Sequence, residues 1–283
     1  MSATHPAPTA RATTGAPGIP GVKYVIAVAS GKGGVGKSTT SCNLALGFAA
    51  LGLKTGILDA DIYGPSQPKL FGLRGRPRQV GPRMIEPMER FGVKVMSIGF
   101  LVEEDLAMIW RGPMVISAIT QMMREMAWGD LDILVVDLPP GTGDAQLTMA
   151  QQTPLAGAVI VSTPQDIALI DARRGIAMFQ KLNIPLLGLI ENMSSFCCPT
   201  CHHISPIFGH GGARHEAEAR GIPYLGEIPL DMQIRQTSDD GRPIVATEPD
   251  SVHARHYTDI ARAIWTTVAS GIAGRPAPRI VIE

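Results

Sequence analysis

The chain has 283 residues, of which 45% are hydrophobic and 18% charged, enough apolar material for the core of one large α/β domain. Its 25 basic and 25 acidic side chains cancel, so no net charge attracts the protein to nucleic acid or to an anionic membrane, and we expect neither partner. No apolar run reaches the roughly 18 residues that span a bilayer, and the N-terminus lacks the charged and then apolar order of a secretory signal, which predicts a cytoplasmic protein.

The two ends of the chain differ in composition from the rest. Residues 1–22 consist mainly of Ala, Pro, Thr and Gly, and such a segment cannot offset the entropy that ordering removes. Residues 271–283 contain two prolines and two glycines. We therefore predict a disordered tail over 1–22, a folded domain over 23–270 and a loose C-terminal tail over 271–283.

Between these tails, short β-branched runs alternate with helical patterns. Strands are predicted at 25–30, 55–59, 133–138, 158–162, 186–190 and 224–228, and helices at 114–128, 166–182 and 253–269. A further helix follows the first strand, with Leu44, Phe48 and Leu51 on its buried face and Gly52 at its end. This alternation is typical of a doubly wound α/β fold with a mostly parallel sheet.

A phosphate-binding motif follows the first predicted strand directly. Residues 31–38, GKGGVGKS, fit the pattern G-x-x-x-x-G-K-[ST] and open a helix, as that motif requires. Its glycines let backbone N–H groups turn towards phosphate oxygens, Lys37 reaches the outer phosphates, and Ser38 can ligate Mg²⁺. A glycine-rich turn without a ligand is the alternative, and the strand-to-helix context argues against it. The predicted ATP-binding residues of this loop are Gly31, Lys32, Gly33, Gly34, Val35, Gly36, Lys37, Ser38 and Thr39.

A carboxylate ends the apolar strand ILVVD, where an Asp can hold Mg²⁺ through water at the mouth of the sheet. Asp137 is therefore the predicted metal-side carboxylate. An Asp that merely caps the next helix is the alternative, but the following residues 138–144, LPPGTGD, are typical of a glycine-hinged switch.

Three of the four cysteines, Cys197, Cys198 and Cys201, fall within five positions, while Cys42 lies on the first helix and is compatible with a core position. A reduced cytoplasmic environment argues against disulfides. A redox dithiol would need a helix after the pair, and c-type haem attachment would need export. Metal binding by Cys198 and Cys201 is the remaining interpretation, with His202 and His203 as weaker ligand candidates.

Two thiolates are half of a four-sulfur site, and the sequence contains no second Cys-x-x-Cys. A symmetric homodimer places the same loop opposite itself, so two copies of Cys198 and Cys201 can complete the site. Thiolate ligands alone do not distinguish zinc from an iron–sulfur cubane.

Lys32, five residues before Lys37, is not needed by an ordinary P-loop, and here the chain resembles the deviant Walker A ATPases. That resemblance implies that Lys32 reaches the partner's nucleotide across a dimer interface and neutralises charge during hydrolysis. It also implies that Asp61 positions the attacking water, with Asp59 supporting the magnesium shell. By the same resemblance, Asn192 and Asp231 contact adenine.

The combined motifs resemble the Mrp/ApbC family over residues 22–269. They are GKGGVGKS at 31–38, DADIYGPS at 59–66, WRGP at 110–113, DLPPGTGD at 137–144, and Asn192-Met193 with Cys198 and Cys201. The resemblance implies a P-loop ATPase that binds a [4Fe-4S] cluster at a homodimer interface and transfers it to apo-proteins, with ATP and Mg²⁺ as cofactors and cluster assembly proteins as further partners.

Three features depart from the family pattern. We expect only the short tail in place of the N-terminal accessory domain of many bacterial relatives, Cys197 adds a neighbouring thiol that could substitute for Cys198, and His202 stands where relatives often have a small residue. A mitochondrial branch, resembling the complex I assembly carrier and acting in the matrix, fits the same motifs as a bacterial member. Two other functions share the nucleotide loop. They are a zinc-bridged targeting ATPase and a partition or positioning ATPase, and residues 271–283 lack the basic amphipathic helix that would favour the latter.

Overall fold

The computed structural model describes residues 18–82, 84–101 and 112–271, and within these ranges all strands belong to one sheet. The main path of the sheet runs β3-β4-β2-β5-β1-β6-β7-β8, with β9 paired to β7. Only β3 and β8 pair antiparallel to their neighbours, which confirms the predicted mostly parallel α/β sheet. The strands are β1 (Val22–Ala29), β2 (Thr55–Asp59), β3 (Met88–Arg90), β4 (Val93–Ser97), β5 (Leu131–Asp137), β6 (Gly157–Ser162), β7 (Leu186–Cys197), β8 (Ile204–Ser205) and β9 (Tyr224–Leu230).

The helices alternate with the strands along most of the chain. They are α1 (Lys37–Ala50), α2 (Gln67–Leu70), α3 (Gly112–Arg124), α4 (Asp144–Gln152), α5 (Asp166–Lys181), α6 (Gly212–Arg220), α7 (Met232–Asp239), α8 (Ile244–Thr247) and α9 (Val252–Ala269), with a 3₁₀ turn at Ile98–Phe100. Among the described residues, no helix is both long enough and apolar enough to cross a bilayer.

Helix α1 lies in the centre of the domain, and its residues from Thr40 to Phe48 are all buried. It packs against α9, where Gly47 permits the close approach, because a Cβ at this position would lie 3.0 Å from Ala261 Cβ. At its end Gly52 adopts φ +83°, as the predicted helix end requires. The helix that carries the phosphate-binding lysine is therefore held by the core on nearly all sides.

The central strands end in polar residues, and the strand register places these residues next to one another. Asp59 of β2 pairs with Asp137 of β5 on one side and with Ser97 of β4 on the other. Val28 of β1 pairs with Asp137, so the P-loop that follows β1 leaves the sheet at the same carboxyl edge. This edge is where open parallel sheets bind ligands.

Several predicted boundaries were wrong. The helix predicted over 114–128 ends at Arg124, because Glu125 and Ala127 instead exchange backbone hydrogen bonds with Ile85. The strand predicted over 186–190 continues to Cys197, where it forms a hairpin with β8. β3, β4 and β8 were not predicted.

The start of the folded chain also lies earlier than residue 23. Ile19 is 5% exposed and accepts a backbone hydrogen bond from Val22, the first residue of β1. Residues 1–17 and 272–283, which contain most of the two predicted tails, lie outside the described residues, as do Trp110 and Arg111 of the WRGP motif.

Candidate nucleotide site and cysteine hairpin

The P-loop owes its shape to two glycines and one distant asparagine. Gly34 and Gly36 both have φ +80°, a conformation that residues with a Cβ rarely adopt. The side-chain amide of Asn192 donates to the Val35 carbonyl at 2.8 Å, and a Cβ on Gly36 would overlap this amide. A residue of β7 therefore supports the loop through a hydrogen bond, and position 36 accommodates only glycine.

Lys37 and Asp137 form a buried ion pair at the base of the loop. The lysine Nζ lies 2.6 Å from Asp137 Oδ1, and the two side chains are 6% and 0% exposed. Asp137 Oδ1 also accepts from the Ser41 hydroxyl at 2.9 Å, and Oδ2 accepts from Gln67 Nε2 at 2.9 Å. Lys37 donates a second, longer bond of 3.2 Å to Ser38 Oγ. The structure thus brings together the predicted phosphate lysine and two of the three predicted magnesium residues, Ser38 and Asp137.

Asp59, the third predicted magnesium residue, is wholly buried beside this pair. Its Oδ2 accepts from the Ser97 hydroxyl and from the backbone N–H groups of Ser66 and Gln67, all within 3.0 Å, and Oδ1 accepts from Asp61 N–H. Burial, followed by the nearby charge of Asp137, raises the pKa of Asp59 to about 7, although the hydrogen bonds and Lys37 act in the opposite direction. A cation at this site would favour the ionised form.

The two predicted catalytic residues occupy different environments. Asp61 is 9% exposed and lies close enough to Lys37 for its charge to act on the carboxylate; burial nevertheless raises the pKa of Asp61 overall. Lys32 is half-buried, and within the described ranges its ammonium forms no ion pair, while its carbonyl accepts from Ser30 Oγ. The role of Lys32 across a dimer interface stays a prediction.

Of the remaining predicted nucleotide residues, two make contacts that explain their positions without a ligand. The Asn192 amide is engaged by Val35, as described, and Asp231 caps α7 by accepting from Gln233 N–H at 2.7 Å. Thr39 lies in the first turn of α1, and its carbonyl accepts from Asn43. Adenine contacts by Asn192 and Asp231 stay predictions.

Sequence reasoning missed three polar residues of this site: Ser41, Gln67 and Ser97. Ser41 follows Lys37 by one helical turn, a spacing that could have indicated a shared face. Ser97 is the last residue of β4. The sequence of this strand, VKVMS at 93–97, begins with the apolar and polar alternation that indicates a strand. Gln67 carries no sequence signal, since its contacts depend on how α2 meets the P-loop.

The donor set fits a magnesium-bound nucleotide. Hydroxyl and carboxylate oxygens of Ser38, Asp59 and Asp137 are the hard ligands that Mg²⁺ and its waters prefer. In addition, Gln67 Oε1 and Ser66 Oγ are buried there without a hydrogen-bond partner in the described part of the chain. Orphaned buried polar atoms are uncommon in folded proteins, and here both lie next to the carboxylates.

The cysteine pair lies on a tight hairpin at the end of β7. Cys197 pairs with Ile204 of β8, and the turn is closed by bonds from Cys198 N–H to His203 O at 3.0 Å and from His202 N–H to Cys198 O at 2.8 Å. His202 adopts φ +58° to complete the turn. Cys201 and Cys197 are exposed and Cys198 is half-buried, whereas Cys42 is completely buried.

Within this turn, the Cys201 side chain lies close enough to the Cys198 sulfur to interact with it. The backbone N–H groups of Cys201 and Thr200, together with the Cys201 side chain, hydrogen-bond to the Cys198 sulfur and lower its pKa. N–H donors around a sulfur favour the thiolate, which is the form that binds metal. The turn is therefore suited to hold one metal atom through Cys198 and Cys201.

A second group of possible ligands, Glu191, His210 and Glu227, has a structural explanation. Both carboxylate oxygens of Glu191 accept from backbone N–H groups of Gly211 and Ala213, which caps the start of α6. His210 lies 3.0 Å from Glu227 in a partly exposed pair. These contacts account for the cluster without a metal.

Comparison with known proteins places this geometry in one family. The family model described as ParA: NUBPL iron-transfer P-loop NTPase matches residues 21–265. The chain belongs to this family. Among the relatives of this NUBPL-type NTPase is the iron–sulfur protein required for NADH dehydrogenase, mitochondrial, of Arabidopsis thaliana, which is 55% identical over 86% of this chain and 78% of its own length.

A bacterial relative and an archaeal structure also match most of this chain. The iron–sulfur cluster carrier protein of Escherichia coli K12 is 51% identical over 91% of this chain and 70% of its own length. A nucleotide-binding protein from Archaeoglobus fulgidus, solved in complex with ADP, superposes with a TM-score of 0.71 at 42% identity, covering 82% of this chain and 91% of that one. The chain thus has a bacterial relative named as an iron–sulfur cluster carrier and a plant relative named as a mitochondrial iron–sulfur protein.

Proposed function

We propose that this chain is an ATP-hydrolysing carrier that binds a [4Fe-4S] cluster between two subunits and delivers it to apo-proteins. The observation that carries the proposal is the Cys198–Cys201 turn, exposed at the end of the strand that also braces the P-loop through Asn192. Two thiolates from each of two subunits give the four sulfur ligands that a cubane cluster requires. The names of the relatives support the same cargo.

In this proposal, nucleotide binding displaces Asp137 from Lys37, so that the ammonium contacts phosphate oxygens while Asp137, Ser38 and Asp59 hold Mg²⁺ and its waters. The ion supplies positive charge to the phosphates when bound. Asp61 orients a water whose oxygen bonds to the γ-phosphorus as the bond to the ADP oxygen breaks. Lys32 of each subunit neutralises the charge that develops on the other subunit's nucleotide.

The same strand offers a route from nucleotide to cluster. Asn192 contacts the P-loop, and Cys197, five residues along β7, begins the hairpin. The backbone between them is irregular, with Met193 at φ +58° and a register shift towards β9 after Asn192. A movement of the P-loop on hydrolysis can therefore reach the cysteines through the Asn192 hydrogen bond and then along the backbone of β7. We propose that this movement weakens the binding of the cluster by the cysteines.

Anaerobic reconstitution tests this function. The full chain is purified without oxygen, supplied with iron and sulfide, and analysed for visible absorbance, iron content and mass in solution. The proposal expects a brown dimer with four iron and four sulfide ions per two chains, the content of one cubane cluster. A colourless product without iron contradicts it. One zinc ion per dimer, unchanged by reconstitution, would instead identify the zinc-bridged ATPase.

A further inference from the structure

Gln67 is a wholly buried side chain that joins every part of the predicted magnesium site. Its Nε2 lies 2.9 Å from Asp137 Oδ2 and 3.1 Å from the Ser38 carbonyl. Its own backbone N–H donates to Asp59 Oδ2 at 3.0 Å. One residue therefore touches the P-loop and both carboxylates, although it lies on α2, outside the nucleotide motifs.

The orientation of the Gln67 amide is fixed by its neighbours. The two atoms near Nε2 are a carboxylate oxygen and a carbonyl oxygen, which only accept hydrogen bonds. A flipped amide would set oxygen against oxygen, so the other end of the group must be Oε1. Within the described residues this Oε1 is buried and has no donor, and the adjacent Ser66 Oγ is in the same state.

The neighbouring acceptors are already in use. Asp137 Oδ1 accepts from Lys37 and Ser41, and Asp59 Oδ2 accepts from three donors. Mg²⁺ normally keeps several of its waters, and each water brings hydrogens that need acceptors. Gln67 Oε1 is a neutral acceptor at this place, and no donor from the described part of the chain occupies it.

We propose that Gln67 is a positioning residue for the magnesium ion, with Nε2 holding Asp137 against the P-loop and Oε1 accepting from a water of the ion's shell. The inference rests on the proposed nucleotide function and adds a residue to it. Gln67 also follows Asp61 by six positions on the same segment. Magnesium loading would therefore fix the segment that carries the water-positioning carboxylate.

The test is the magnesium dependence of ADP binding. Affinity for ADP is measured on the full chain by calorimetry, first in EDTA and then over a series of Mg²⁺ concentrations. Gln67→Met keeps the length of the side chain and removes both hydrogen-bonding atoms. We expect unchanged affinity in EDTA but at least about tenfold more Mg²⁺ to reach half of the metal effect, as is typical when an outer-shell partner is lost.

Two further variants separate positioning from folding. Gln146→Met replaces another buried glutamine, in α4, whose amide also lacks partners among the described residues, and it should leave the Mg²⁺ midpoint unchanged. Gln67→Glu keeps an acceptor and loses the Nε2 donor to Asp137, so its Mg²⁺ midpoint should rise, but less than that of Gln67→Met. Thermal unfolding in EDTA checks that each variant is folded.

Each other outcome is decisive. An unchanged midpoint in folded Gln67→Met overturns the inference, and equal impairment of Gln67→Met and Gln67→Glu overturns the role of Oε1. Wild-type protein that binds ADP equally well with and without Mg²⁺ overturns this inference and leaves the nucleotide function standing. Wild-type protein that binds no ADP overturns both.

Discussion

The ammonium of Lys37 lies 2.6 Å from Asp137 Oδ1, with both side chains almost completely withdrawn from solvent. The sequence assigns these residues to phosphate and to magnesium, and the structure shows that they neutralise each other. A buried charge without a partner is costly, so the pair stabilises the base of the P-loop.

Removing one member of this pair should therefore destabilise the protein strongly. Asp137→Asn leaves the Lys37 charge buried without its partner, and we expect a loss of about 3–5 kcal/mol in the free energy of unfolding. Urea denaturation without nucleotide measures it. Asp132→Asn, which breaks the exposed pair with Lys23, is the control and should cost much less. Equal losses in the two variants would show that Asp137 does not neutralise Lys37.

Lys32, whose ammonium forms no ion pair with the described residues, should act in hydrolysis and not in binding. Lys32→Ala is expected to leave ADP affinity nearly unchanged and to slow ATP hydrolysis by about a hundredfold or more, as the loss of a charge that acts in the transition state does. Steady-state phosphate release and ADP titration measure the two quantities. Lys181→Ala, at the exposed end of α5, is the matched control. Similar hydrolysis rates for Lys32→Ala and wild type would remove the role across the interface.

Of the three neighbouring cysteines, Cys198 and Cys201 should be needed for iron binding and Cys197 should not. Cys198→Ser and Cys201→Ser should each abolish iron binding after reconstitution and leave ADP binding intact, because the hairpin lies beyond the P-loop contact of β7. Cys197→Ser should retain the cluster, since Cys197 belongs to the β ladder and its sulfur interacts with the His202 carbonyl. Iron analysis and the visible spectrum of each variant give the answer. Loss of iron from Cys197→Ser as well would make that thiol a third ligand.

Because Gly36 and Asn192 are in contact, substitutions at the two positions should have non-additive effects on the free energy of unfolding. Gly36→Ala places a Cβ at φ +80° and against the Asn192 amide, and we expect it to cost about 1–3 kcal/mol in stability. Asn192→Ala loses the bond to Val35 O, at about 1 kcal/mol. Because Asn192→Ala also removes the overlap, the double variant should be less destabilised than the sum. Strict additivity in urea denaturation would contradict the contact.

Stability without metal should fall as the pH rises towards neutrality. The raised pKa of Asp59, about 7 in the folded chain against an ordinary 3.8, means that the folded state binds more protons than the unfolded state between these values. The contribution of Asp59 is therefore present in full below about pH 4 and is lost as the pH approaches 7. Urea denaturation in EDTA across this range should show the slope. Asp59→Asn should flatten it, and an equal slope in that variant would exclude Asp59 as its source.

The sequence predicted what depends on local patterns. The P-loop follows from residues 31–38 alone, and Asp137 was placed at the mouth of the sheet because it ends a recognisable strand. Asp59 was assigned to the magnesium shell by the family resemblance. The Lys37–Asp137 pair and the Asn192–Val35 bond were not predicted, since both depend on strand register, and the latter joins residues 157 positions apart. β8 has only two residues, too few to form a pattern, so the hairpin that orients the cysteines was missed.

The hairpin that carries Cys198 and Cys201 is short, hydrogen-bonded and continuous with a strand of the main sheet. Backbone hydrogen bonds therefore tie the hairpin to the domain that carries it. If two chains bind one cluster, as proposed, the distances between their four sulfurs depend on the relative orientation of the two domains. A change in that orientation would then alter the access of a recipient's thiolates to the cluster.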